Sequence, residues 1–106
     1  MFRRILIANR GEIAVRIART CSALGVEAVA VHSDVDAQAR HVAAATRAVH
    51  LPGVAPTETY LNVEAILEAA RSTGAEAIHP GYGFLSESAS FADAVVGAGV
   101  VWVGPP

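Results

Sequence analysis

Two glycines one residue apart, Gly81 and Gly83, interrupt the stretch Ala77-Ile-His-Pro-Gly-Tyr-Gly-Phe-Leu-Ser-Glu87. Glycine removes the Cβ that would hold a ligand off and permits positive φ, so such a loop suits close backbone approach. Ser86-Glu87-Ser88 follows, where a helix can start and offer unpaired N–H groups. Around the glycines, Tyr82 can stack on or hydrogen-bond a flat ligand, and Glu87 can accept a hydrogen bond or favour the next helix start. His79, before Pro80, reads as a satisfied histidine at a strand end rather than a base. A second polar turn, Asn9-Arg10-Gly11-Glu12, follows the first apolar run. Asp34 and Asp36 lie 23 and 25 positions after Gly11, near where a dinucleotide fold places its ribose-binding carboxylate. The first turn lacks the matching glycine signature, so the competing reading makes Asp36 the cap of a short helix over residues 37–45. His32 and His41 lack metal-ligand spacing and read as surface residues. No Ser–His–Asp set, acid–base pair or metal cluster assembles from the sequence.

These residues need elements to hold them. Residues 4–9 form an apolar run that reads as a buried parallel strand, followed by a helix over about 11–24. Ile13, Ala14, Ile17, Ala18, Cys21 and Leu24 make its core face, and Glu12, Arg16 and Arg19 its outer one, with Glu12 and Arg16 placed to pair at i,i+4. Strands follow at 26–31 and, more weakly, 47–51. A loop over 52–59 leads to a helix capped by Asn62, with Leu61 and Ile66 at staple positions. A strand at 76–79, the glycine loop, a helix over 88–98 and a strand at 100–103 complete the chain. Strands alternating with helices predict an α/β fold: an open five-stranded parallel sheet, Rossmann-like, with helices on both faces. With strand order 3-2-1-4-5, the Asn9–Glu12 turn and the glycine loop meet where the order reverses, and open α/β sheets bind ligands there.

Composition narrows the chemistry. All 106 residues fit one domain. Net charge is −2, which gives no electrostatic footprint for nucleic acid. No apolar run is long enough to cross a membrane. The basic residues are all arginine; without lysine there is no Walker-type phosphate loop and no Schiff base. A single cysteine, Cys21, excludes an internal disulfide and fits a reducing compartment. With no signal peptide ahead of the first strand, the expected location is cytoplasmic. As a dinucleotide signature the glycine loop is poor, because Ser86 stands where the third glycine belongs.

Longer strings are more specific. Ile7-Ala-Asn-Arg-Gly-Glu-Ile-Ala14 with Arg16 and Arg19, and above all His79-Pro-Gly-Tyr-Gly-Phe-Leu-Ser-Glu87, closely resemble the N-terminal domain of biotin carboxylase. Ala30-Val-His32, Ser33 with Asp36, His41-Val42, Tyr60-Leu-Asn62 and Val103-Gly-Pro105 fit the same pattern, so the resemblance covers essentially the whole chain. It implies part of an ATP-grasp enzyme that uses MgATP and bicarbonate to carboxylate biotin on a carrier domain, within an acyl-CoA carboxylase. In the family the nucleotide, Mg2+ and bicarbonate ligands lie in later domains. The chain then reads as a fragment that binds no cofactor alone and is inactive alone. Its partners would be the rest of the biotin carboxylase chain, the biotin carboxyl carrier domain and the carboxyltransferase subunit.

The resemblance also sets Gly83, Tyr82 and Glu87 on the biotin side of the site, with His79, Pro80, Gly81, Asn9, Arg10, Gly11 and Glu12 as loop scaffold. Arg16 and Arg19 would contribute to a homodimer interface of the full-length subunit. Ala23 departs from a frequent acidic residue there, which weakens the interface, and Ser88 replaces a frequent asparagine with an equally good cap. Two alternatives stand beside this reading: a free-standing Rossmann-like nucleotide-binding module, and the N-terminal domain of another ATP-grasp ligase.

Overall fold

The structure is a computed structural model that describes residues 2–104. Strands β1 (Arg4–Ile7), β2 (Glu27–His32), β3 (Arg47–His50), β4 (Ala77–His79) and β5 (Val101–Trp102) form one parallel sheet. Its order is β3-β2-β1-β4-β5, which meets the condition set for the switch point, so the order reverses between β1 and β4. Ile5 pairs with Ala28 and Ala77, and Ile7 with Ala30 and His79.

Helices cover both faces. Helix α3 (Val63–Thr73) and helix α4 (Ala89–Gly97) lay Ile66, Ala69, Ala70, Phe91 and Val95 against Leu6, Val29, Val31 and Ile78. The Phe91 and Trp102 rings lie edge to face with centroids 5.4 Å apart, a favoured aromatic geometry. On the opposite face, helix α1 (Gly11–Ala23) packs Ala14, Ala18 and Cys21 onto Ile7 and Ala28. The small side chains of Ala14, Ala18 and Cys21 let the helix approach the sheet closely. Helix α2 (Arg40–Ala44) completes this layer.

Asn62 caps α3 by accepting from Ala65 N–H at 3.0 Å, and Ser88 caps α4 by accepting from Phe91 N–H at 3.2 Å. Leu61 joins Ile66 in one apolar cluster, as a staple requires.

Four details differ from the sequence expectations. Leu24 lies outside the core, 59 % exposed, because α1 ends at Ala23 and the chain turns away. Helix α2 spans five residues and is capped at Ala39 without a side-chain bond; Asp36 does not cap it. The Asp36 carboxylate is taken by better donors, described below. His41 is buried rather than on the surface, because α2 lies flat on β2 and its Nε2 donates to Val31 O at 2.9 Å. The pair Glu12–Arg16 is absent; Glu12 faces Arg40 at 3.9 Å instead.

Candidate functional site

The two polar turns do meet at the switch point, and one side chain joins them. Asn9, two residues past β1, is 3 % exposed. Its Nδ2 donates to Pro80 O at 2.7 Å and to Tyr82 O at 2.6 Å, while its Oδ1 accepts from Arg10 N–H at 2.8 Å. The amide thus reads the backbone of the glycine loop across the sheet. Gly81 packs directly on it: a Cβ there would lie 2.8 Å from Asn9 Nδ2. His79 closes the same turn, its Nδ1 accepting from Gly81 N–H at 3.1 Å. Burial pulls the His79 imidazole below its ordinary pKa, which favours the neutral ring that can accept this bond.

Beyond Gly81 the loop comes to the surface. Gly83 sits at φ +69° with open space where a side chain would be, and Tyr82 is 77 % exposed. Phe84 follows at φ +46°, the one non-glycine residue with positive φ among those described. That conformation costs an L-residue roughly 1–2 kcal/mol. Leu85 and Ser86 turn back into the protein, with Ser86 N–H on Gly83 O at 2.9 Å, and Glu87 is exposed.

Phe84 rests on Tyr60, with ring centroids 5.3 Å apart and planes 25° from parallel. Tyr60 precedes α3 and is 2 % exposed. Its hydroxyl donates to Asp36 Oδ2 at 2.7 Å and accepts from Ser33 N–H at 3.2 Å. Ser33 Oγ donates to the same carboxylate oxygen, and Arg10 reaches the other at 3.1 Å while lying 5.7 Å from the Tyr60 ring centre. Burial pushes Asp36 up, yet the Tyr60 and Ser33 hydrogen bonds and the Arg10 charge together hold it below the usual carboxylate range. Asp36 is therefore committed to the fold, which excludes the ribose-binding role weighed for it. Asp34 is engaged too: His50 Nε2 lies 2.5 Å from its Oδ1, which also accepts from Gly53 N–H.

Tyr60 is pushed up to about 12, first by burial and then by the Asp36 hydrogen bond. The folded pKa lies above the unfolded value near 10, so the neutral phenol stabilises the fold fully below that value. The contribution, on the order of 2–3 kcal/mol, is lost as pH rises from about 10 to about 12. Urea unfolding at pH 9 and pH 11.5 should show this loss, and Tyr60→Phe should reduce it. Cys21, whose thiol burial also raises, remains as background in both proteins. An unchanged pH dependence in Tyr60→Phe would show that the phenol is not the group responsible.

Asn9, Arg10, His79, Pro80, Gly81, Tyr82 and Gly83 thus share one end of the sheet. Arg16 and Arg19 do not belong to this cluster. They are exposed on α1 and have no acidic partner among the described residues. Arg16 borders an apolar groove with Ile5, Ile13, Ile17 and Leu24. The links that sequence reasoning missed are the Asn9 clasp and the Asp36–Tyr60 support. Tyr60 carries no periodic signal where it stands between a Pro- and Thr-rich loop and the Asn62 cap. Among the described residues no group of three His, Cys, Asp or Glu side chains is placed to hold a metal.

The family model of the biotin carboxylase N-terminal domain matches residues 1–106, and the chain belongs to that family. It is 56 % identical over 105 residues to the mitochondrial propionyl-CoA carboxylase alpha chain of Sus scrofa, covering 98 % of this chain and 14 % of that one. The K. lactis urea amidolyase structure is similar with a TM-score of 0.96 and 52 % identity, over 98 % of this chain and 6 % of that one. The biotin carboxylase domain of the Hydrogenobacter thermophilus 2-oxoglutarate carboxylase, solved with MgADP, ADP and bicarbonate, gives 0.92 and 48 %, over 99 % of this chain and 23 % of that one. The chain therefore spans a quarter or less of the length of these relatives.

Proposed function

We propose that this chain is the N-terminal domain of a biotin-dependent carboxylase and that its glycine loop forms the biotin-facing wall of the active site. The observation that carries this is the Pro80–Gly83 segment. It is clamped from beneath by Asn9, yet it presents the Tyr82 ring and the bare backbone of Gly83 to solvent. A flat ureido ring can lie against such a surface without meeting a Cβ. Glu87, exposed just ahead of the Ser88 cap of α4, is the third residue of this wall. In this reading MgATP and bicarbonate are held by domains outside this chain, and biotin arrives on its carrier domain. In this reading the chain alone is catalytically silent. The acceptor is an acyl-CoA, in keeping with the propionyl-CoA carboxylase relatives, and a carboxyltransferase subunit carries out that second transfer. The exposed Arg16 and Arg19 lie on the α1 face offered to a second full-length subunit. The compartment is a reducing one, cytoplasm in the simplest case, where free Cys21 is stable.

The test uses the full-length enzyme that carries this domain. Gly83→Val fills the open space above the backbone, and should lower the carboxylation of free biotin at least roughly tenfold. Bicarbonate-dependent ATP hydrolysis should stay within about twofold. Equal losses in both activities would remove the biotin-wall assignment. Bicarbonate-dependent ATP hydrolysis by purified residues 1–106 would overturn the division of labour between domains.

A further inference from the structure

We propose that Tyr60 is a positioning residue for the glycine loop, setting biotin affinity through Phe84 without touching the substrate; this rests on the biotin-wall reading above. Two consecutive residues, Gly83 and Phe84, hold positive φ, at +69° and +46°. Glycine accepts this freely, but a phenylalanine persists there only when its surroundings over-determine it. The contact that does so is the Tyr60 ring, stacked on Phe84 at 5.3 Å. Tyr60 is a firm support because its hydroxyl joins Asp36 Oδ2 and Ser33 N–H, and Arg10 holds the other Asp36 oxygen. The loop is thus suspended between two anchors. Asn9 fixes Pro80 O and Tyr82 O on one side, and Tyr60 fixes Phe84 on the other. The Tyr82 ring and the Gly83 backbone lie between them. Releasing the Phe84 end lets φ relax and swings the proposed wall away from the geometry that Asn9 and Tyr60 together impose.

Three variants of the full-length enzyme test this. Tyr60→Leu removes the ring, Tyr60→Phe keeps it, and Phe84→Ala removes the stacked partner from a site already 36 % exposed, where the core does not depend on it. Tyr60→Leu and Phe84→Ala should each raise the KM for free biotin roughly tenfold, with the KM for ATP within about twofold, and Tyr60→Phe, which keeps the ring but loses the hydroxyl bonds, should give a smaller rise between these and the unchanged enzyme. Hydrogen exchange at the Ser86 amide, bonded to Gly83 O, should accelerate roughly tenfold in the same two variants. An unchanged biotin KM in Phe84→Ala, or biotin and ATP KM values rising together, would overturn the proposal. An enzyme that fails to carboxylate biotin at all would instead remove the functional reading, and the Ser86 exchange rates would still decide the positioning role. Unaltered exchange in Phe84→Ala would end it.

Discussion

Gly81→Ala is expected to destabilise the fold by about 3 kcal/mol, against about 1 kcal/mol for Gly83→Ala two residues further on. The two glycines share a backbone conformation, with φ of +65° and +69°, so the intrinsic cost of placing an L-residue there is the same. They differ in what a side chain would meet. At Gly83 nothing lies within 4 Å, whereas at Gly81 the new Cβ would sit 2.8 Å from Asn9 Nδ2 and 3.2 Å from Asn9 Cβ and Cγ. An exposed side chain would swing aside at little cost. Asn9 is buried, and both hydrogens of its amide are committed to loop carbonyls, so it moves only by breaking those bonds. Urea unfolding of the two variants under one set of conditions measures the difference directly. Equal costs would mean that Asn9 yields and that the close approach at Gly81 carries little energy.

This contrast shows how much of the site was legible in the sequence. The strand-and-helix alternation and the Asn62 and Ser88 caps follow from local pattern, because burial period and cap chemistry act over a few residues; the switch point follows only once the strand order is supplied. The nonapeptide His79–Glu87 also marked the loop. A sequence gives Gly81 and Gly83 equal standing, yet only one is wedged against a neighbour, and that neighbour is 72 positions away in the chain. Asp36 failed for the same reason. Locally it is a good helix cap, but the fold brings it a phenol, a hydroxyl and a guanidinium from Tyr60, Ser33 and Arg10, and these charge-assisted bonds outcompete the cap. His41 reads as polar and therefore exposed, until α2 lies flat on the sheet and gives its Nε2 the Val31 carbonyl. Contacts that span the sheet leave no periodic trace.

Asn9→Ala is the second large effect, expected at about 2–4 kcal/mol, because it strips the partner from two loop carbonyls at once. Pro80 O is buried where water does not replace the amide, so it pays the larger part. Tyr82 O is partly exposed and recovers some solvation. The variant also bears on Gly81. With the Asn9 side chain shortened, the atoms at 2.8 Å and at Cγ are gone, and Gly81→Ala should then cost little more than Gly83→Ala does. The double variant should therefore be more stable than the sum of the single changes by about 1–2 kcal/mol. Strict additivity would say that the clasp and the wedge are independent, and the loop would then owe its shape to the His79–Gly81 turn and the Phe84–Tyr60 stack instead. A coupling of the expected size would tie the exposed Gly83 backbone to the end of β1. It would also give a physical reason for a loop facing solvent to hold its shape: its two carbonyls are held by one buried amide, and its turn leaves no room for that amide to leave.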